Sequence, residues 1–559
     1  MASQQLTRSL TGIAAALVVA MPAWSQGNPT PRGGNEMTLF VDVHGADGNP
    51  VSGLGIADFR VFESQRQMEI VEVVELGAGS KNDAQAPVSV TVLFDLQSLQ
   101  KRNRKRVLPE IKTFVNRCAE AGVPVLVAVH DRSLTVVQPF TVSPNELTQA
   151  LEKVAELKTR GERVVGRKRA LKRDITSAEL IHVSTPIDGG SSTASSSTED
   201  SLQVRSDLYL NQLESLRQEE LDRVRLGLAS LEEALRALAG VGGRKHVLWI
   251  GEGLPLRPGF DLYPSFYSKF SRWGDELALL RPEQWIAQVD LGSSFRFVAA
   301  RAQYAATSVS FLDVADRDRE ASSSDFFIRD TETFTVSSRT GEMAATGYSL
   351  ADDLNAADGA RLLAESTGGR AVSGCTPPEL LSPCYGLTYR SAAQPGGEPM
   401  QVRVETADAG LELRHPANAI VRSPADALID ATFAHLMLDR KTTDFSFTVE
   451  LGASEAREDG RQVQTVSLLL PAPGLQLEES GDGKVAGRVL VALQQEGQDG
   501  VMPAQLVPLN IAIPVDRMGD NAVAKASVRL LMSADAKRLA VGVRDEGAGT
   551  VATSVVPIQ

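Results

Sequence analysis

The sequence predicts a multidomain α/β plus β protein, in which a doubly wound α/β domain is flanked by a small N-terminal β-module and a C-terminal Ig-like β-sandwich. Three observations carry this expectation. The chain has 559 residues, well past the roughly 250–300 at which a single core stops growing. From Pro87 onward, apolar strands alternate with helical patterns. After Ala393 the pattern turns to strands divided by Gly, Asp and Pro, at spacings of about ten to twenty residues.

Taken in order, residues 1–25 read as a signal peptide. Arg8 supplies a positive start, Leu10 to Met21 is an apolar run too short to span a bilayer, and Ala23 and Ser25 suit cleavage before Gln26. No later apolar run reaches the length of about 18 residues that suggests a membrane span. The mature chain is therefore expected to be exported, periplasmic or secreted to the cell surface, without a transmembrane segment. Residues 26–35 are a Gly/Pro-rich tether, expected to be disordered. Residues 36–80 alternate apolar and polar residues around turn signals at Asp47 to Pro50 and Ser52 to Gly55. They predict a small β-module with little core of its own.

The α/β domain spans 86–392. Its strands are predicted at 88–94, 123–129, 134–140, 246–250 and 308–314, and its helices at 102–120, 144–157, 207–239, 292–306 and 354–367. Apolar residues at both parities of the strands predict a parallel sheet covered by helices on both faces. Two insertions interrupt it. Residues 160–205 begin with a basic run, continue into the low-complexity stretch 184–201, and are expected to be flexible. Residues 318–348 are rich in Ser, Thr and charge and show no period. Within the helix at 207–239, Leu221, Val224, Leu228, Leu231, Leu235 and Leu238 form a stripe, which predicts packing on the sheet or on the preceding basic helix. Gly240 reads as its C-cap. The C-terminal region, 393–559, is broken only by a helical pattern at 423–438.

The net charge of −13 argues against a nucleic-acid partner, which needs a basic footprint. Of the three cysteines, Cys118 reads as a buried, inert thiol, while Cys375 and Cys384 could close a small loop as a disulfide in an oxidising compartment. The six histidines are scattered. There is no His-Glu-x-x-His pair, no Gly-x-Ser-x-Gly elbow and no papain-like cysteine, so a non-catalytic protein is expected.

Several stretches together resemble a known family, the bacterial exported proteins related to the von Willebrand factor type A (VWA) domain, of the kind abundant in acidobacteria. The resemblance rests on "GNPVSGLGIADFRVFE", "VTVLFDLQS", "GGRKHVLWIGEGLP", "LLAESTGGRAV", "CYGLTYRS", "VRVETADAGLELRH" and "RLAVGVRDEGAGTVATSVVPI", taken in that order along nearly the whole mature chain. It implies a VWA-like (Rossmann-like) domain that meets protein ligands at the C-terminal edge of its sheet. In such domains that edge holds a divalent cation through Asp-x-Ser-x-Ser after the first strand, with a Thr and an Asp from later loops. Hard Mg²⁺ takes an octahedron of oxygens. Here Asp95 fills the first position, Gln97 and Leu99 replace the two serines, and Glu252 stands where the later aspartate would. The adhesion site is therefore expected to be degenerate, with no metal and no other cofactor. Asp95 is expected to end its strand and cap the segment after it.

Lys101, Arg102, Arg104, Lys105 and Arg106 follow directly and are the candidate partner-binding residues, suited to an acidic protein or surface polymer. Cations at a helix start oppose its dipole, so an acidic neighbour or partner is expected there. The second basic run, 160–173, reads as a solvated helix face or as part of the same edge. The expected function is non-catalytic protein–protein binding or scaffolding outside the cytoplasm. The alternatives are a divalent-cation-dependent adhesin with a relaxed Mg²⁺ site and an accessory subunit of an envelope enzyme.

Overall fold

A computed structural model describes residues 36–76, 88–177, 194–263, 266, 290–315, 345–381 and 383–558, except 458–460, 481–482, 498–499 and 520–521. Side chains of 194–206 and 345–355 are not described. The expected signal peptide, the tether, residues 178–193 of the first insertion and nearly all of the second lie outside the described residues.

The chain opens with four strands, β1 (Glu36–His44), β2 (Phe59–Glu63), β3 (Arg66–Met68) and β4 (Ile70–Leu76). The α/β domain follows as β5 (Val88–Asp95), α1 (Lys101–Glu120), β6 (Val125–His130), β7 (Leu134–Thr141), α2 (Pro144–Glu156), α3 (Gly161–Ser177), α4 (Ala194–Ala239), β8 (Arg244–Gly251), α5 (Gly292–Tyr304), β9 (Thr307–Asp313), α6 (Ala345–Thr367) and β10 (Ala371–Ser373). Its sheet has the order β10-β9-β8-β5-β6-β7. All neighbours are parallel except β6 and β7. Asp131, Arg132 and Ser133 alone join those two, and so short a link permits only an antiparallel return. β7 is thus a half-exposed edge strand, not one buried on both faces as its composition suggested.

Helices cover both faces of this sheet. On one face, Val107, Ile111, Phe114 and Cys118 of α1 and Leu147, Leu151 and Val154 of α2 pack against Val90, Val92, Phe94 and Ile250. On the other, the stripe from Leu221 to Leu238 on α4 packs with Phe295 and Val298 of α5 on Leu93, Leu126, Val247 and Trp249. The strand order reverses between β5 and β8, which opens a crevice at their C-terminal ends.

The N-terminal strands do not form a separate module. Past β10 run β11 (Cys384–Arg390), β12 (Met400–Thr406), β13 (Glu412–Arg414) and β14 (Asn418–Ala419). One sheet has the order β13-β1-β11-β4 and the facing one β14-β12-β2-β3, with Val41, Val61, Tyr385, Leu387 and Val402 between them. The α/β domain is therefore inserted into a β-sandwich built from both flanks. This corrects the expected boundaries at 36–80 and 393: strands too few to bury a core recruit partners from beyond the insertion. Cys384 falls within β11, beside Arg244, and Cys375 packs against the α1 side of the sheet; the two are free thiols, so the expected disulfide is not formed. Burial pushes the Cys384 thiol up to about 11.

After α7 (Pro424–Leu438) comes a second antiparallel sandwich. Its strands are β15 (Thr448–Ala456), β16 (Gln462–Pro471), β17 (Glu478–Ser480), β18 (Lys484–Gly497), β19 (Gly500–Val501), β20 (Gln505–Pro514), β21 (Val523–Met532), β22 (Arg538–Asp545) and β23 (Val551–Pro557). One sheet is β15-β16-β21; the other is β17-β18-β22-β23, with β19 and β20 also paired to β18. α7 is apolar nearly all round, as a helix buried on several sides must be. Phe433 and Ala434 join the core of the α/β domain, and Leu428 and Ala431 meet Ala492 and Val551 of the sandwich.

The first insertion is ordered where it is described. α3 and α4 enclose Leu171, Ile175, Leu213 and Leu216 with Leu262 and Phe266. Lys168 reaches Glu220 at 2.6 Å and Asp261 at 3.0 Å, Lys172 reaches Asp261, and Arg163 and Arg167 reach Glu219. The basic run is thus largely compensated within the chain. Gly240 does not act as a left-handed cap, a backbone conformation found instead at Gly243. A Cβ on Gly240 would stand 2.1 Å from the Asp430 carbonyl oxygen of α7. Gly240→Ala is predicted to lower stability by about 1–3 kcal/mol through this clash, read as an earlier urea midpoint.

Candidate functional site

The loop Leu96 to Gln100 leaves β5 at the crevice, and its geometry follows from Asp95. The Asp95 Oδ1 accepts the backbone N–H of Gln97 at 3.0 Å and of Ser98 at 3.2 Å, which turns the chain as a cap would. Leu99 N–H then bonds to the Asp95 carbonyl at 3.0 Å, and the Leu99 side chain is wholly buried. Ser98 is also buried. Its hydroxyl donates to the Asp95 carbonyl and accepts the Glu252 N–H at 3.1 Å, tying the end of β5 to the end of β8. Gly251 permits this approach, since a Cβ there would lie 2.9 Å from the Ser98 Oγ.

Glu252 spends both carboxylate oxygens on Gln100, one on the backbone N–H and one on the side-chain amide at 2.7 Å. Gln100 is the N-cap of α1, and the next N–H, of Lys101, donates to Glu162 at the start of α3. These two carboxylates are the acidic neighbours that the basic run was expected to need. Gln97 donates its amide to Asp131 Oδ1 at 2.7 Å. Arg160 clasps the same carboxylate at 2.8 and 3.2 Å and holds it below the usual carboxylate range. Backbone bonds from Arg160 to Leu96 and from Gly161 to Leu99 dock the insertion on the loop. A Cβ on Gly161 would lie 2.1 Å from the Ser98 carbonyl oxygen.

The candidate partner-binding residues divide. Lys101, Arg102, Lys105 and Arg106 are exposed at the N-terminal end of α1, with Arg106 donating to the Val314 carbonyl at 2.7 Å. Arg104 is buried, which corrects its expected role. Its guanidinium donates to the carbonyls of Val154 at 3.1 Å, Ala155 at 2.7 Å and Leu157, so it caps the C-terminus of α2. The one-turn periodicity of α1 turns Arg104 inward beside Val107 and Ile111, a signal the uniform basic composition concealed.

Residues that the sequence reading did not assign to the edge are Ser98 and Gln100 on the loop and Asp131 after β6, while Arg160, Gly161 and Glu162 belong to the run 160–173, which reads as a solvated helix face or as part of this edge. Nothing local marks the first three; only the fold brings them to one edge. His130 sits beside them with its Nδ1 2.8 Å from the Ser230 Oγ. Burial keeps its ring below the usual imidazole range. His130 and Ser230 are both buried, and their contact ties the end of β6 to α4. Among the described residues, no group of three or more His, Cys, Asp and Glu is arranged to hold a metal ion. No described helix is long and apolar enough to cross a membrane.

No family model matches the chain, and no curated protein matches it. Among solved structures, the crystal structure of three N-terminal domains of the type V pili tip protein Mfa5 from Porphyromonas gingivalis aligns with 93% of this chain and 76% of that one. The identity is 9% and the TM-score 0.23, a level of superposition that does not establish a shared fold.

Arg104→Met is predicted to cost about 2–4 kcal/mol, because three buried or half-buried carbonyls lose their donor. Lys105→Met, on the exposed face, is predicted to stay within about 0.5 kcal/mol of the parent. Urea unfolding of the two variants side by side checks the division.

Proposed function

We propose that this chain is a non-catalytic binding or scaffolding protein with a VWA-like α/β domain, acting outside the cytoplasm and meeting its partner at the C-terminal edge of the sheet without a metal ion. The doubly wound order with one antiparallel edge strand supports the VWA-like reading. The single observation that carries the rest is the internal satisfaction of the loop after β5. Asp95 is committed to two backbone N–H groups, Gln97 to Asp131, Ser98 to Glu252 and Glu252 to Gln100.

The residues present do not fit Mg²⁺. Of the two positions where hydroxyls would face an ion, one holds an amide that donates to a carboxylate and the other a buried leucine. Octahedral oxygen coordination has no donor set here unless the bonds that shape the loop are broken.

Recognition falls to the exposed cations of α1. Lys101 and Lys105, like Arg102 and Arg106, are spaced four apart and share a face beside the edge, suiting an acidic protein or surface polymer. The test is capture from envelope extract, together with binding to immobilised polyglutamate, by the wild-type chain and by a variant with Lys101, Arg102, Lys105 and Arg106 changed to Glu. Arg104 is left intact to preserve the fold. Wild-type binding is expected to weaken as salt rises from about 50 to 300 mM and to disappear in the variant. Equal capture by the variant would contradict the proposal.

A further inference from the structure

At the opposite end of the sheet, where the α/β domain joins the N-terminal sandwich, a small, partly open cavity has room for about one water-sized body. Asp42 and His44 of β1, Arg244 and His246 of β8, Ser310 of β9, Arg370, and Glu379 line it. Its polar chemistry is one-sided. Arg370 donates from Nη2 to His44 Nε2 at 2.7 Å. A guanidinium has no acceptor, so the His44 ring must carry its proton on Nδ1. That Nδ1 is buried and has no partner. The Nε of Arg244 and both ring nitrogens of His246 are likewise buried without partners. Among these buried, unpartnered nitrogens, three N–H donors stand against a single lone pair. One water, which accepts about two hydrogen bonds, cannot balance this set.

The charges lean the same way. Asp42 is taken by Arg244 at 2.6 Å, Glu412 by Arg414 at 2.6 Å, and Glu379 by Arg117 at 3.6 Å. Arg370, half-buried, faces the His44 imidazole directly, with Asp42, Glu412 and Glu379 acting on it from beyond ion-pair distance. The Arg244 guanidinium is buried with its Nε unpaired, which is costly, and a small anion relieves this while accepting several N–H groups at once.

We propose that this cavity is a monovalent-anion site that takes a halide such as chloride and clasps the inserted domain to the sandwich. The ion accepts from Arg244, His44 and His246 and lies beside Arg370. A bound anion also favours protonation of His246, whose ring burial otherwise holds below the usual range. Halide stabilisation should therefore grow as the pH falls.

The test is thermal unfolding of the full chain at one ionic strength in sodium chloride, sodium bromide or sodium gluconate, whose anion is too large to enter. Chloride and bromide are expected to raise the midpoint over gluconate by about 2–4 °C, with a wider gap at pH 5.5 than at pH 7.5. Bromide-grown crystals should show an anomalous peak among Arg244, His246 and Arg370. His246→Phe, which fills the space, should unfold cooperatively with no halide dependence. Equal midpoints in the three salts with no anomalous peak, or full halide dependence retained in His246→Phe, would overturn the proposal.

Discussion

Two carboxylates at the N-terminus of α1 hold the C-terminal edge of the sheet together. Glu252 comes from the end of β8 and Glu162 from the start of α3, and they accept the N–H groups of Gln100 and Lys101. A helix N-terminus carries partial positive charge, and here Lys101 and Arg102 add to it. The carboxylates offset that build-up, and in doing so they join three segments distant in sequence. The loop after β5 is then shaped from both sides, and Gly251 and Gly161 supply the two backbone surfaces close enough to press on it.

The same economy of shared parts runs through the whole chain. The N-terminal sandwich exists only because β11 and β12 return to it after the α/β domain, so the domain is held at both of its ends. α7 fills the joint between α4 and the C-terminal sandwich, where His435 bonds to Thr553 and Arg236 lies over the Phe433 ring. A protein built this way presents rigid edges instead of independent beads on a string. That suits the proposed scaffold role, in which the edge keeps its shape without a ligand or ion to organise it.

Much of this was legible in the residues. The alternation of β5 to β9 with α1, α2, α4 and α5, the burial of the Leu221 to Leu238 stripe and the turning role of Asp95 followed from periodicity and from the habits of aspartate. What was not legible depended on long-range contact. Strand patterns in 36–76 and 384–419 look self-contained because alternation says which face is apolar but not which strand is the neighbour. Arg104 read as one cation among five because composition carries no phase. Cys375 and Cys384 lie close in sequence, yet β11 commits Cys384 to a strand and to Arg244, while Cys375 turns to the other core. Gly240 announced a helix end, but its work, like that of Gly161, is to admit a neighbouring backbone.

We propose that hydrogen bonds within the chain, and not a cation, shape the loop after β5. Calorimetric titration of the metal-stripped protein with Mg²⁺ and Mn²⁺ tests it most directly, with Asp95→Ala as the control. The account predicts no saturable heat with either ion in the wild type. Saturable one-to-one binding that vanishes in Asp95→Ala, while that variant remains folded, would contradict it.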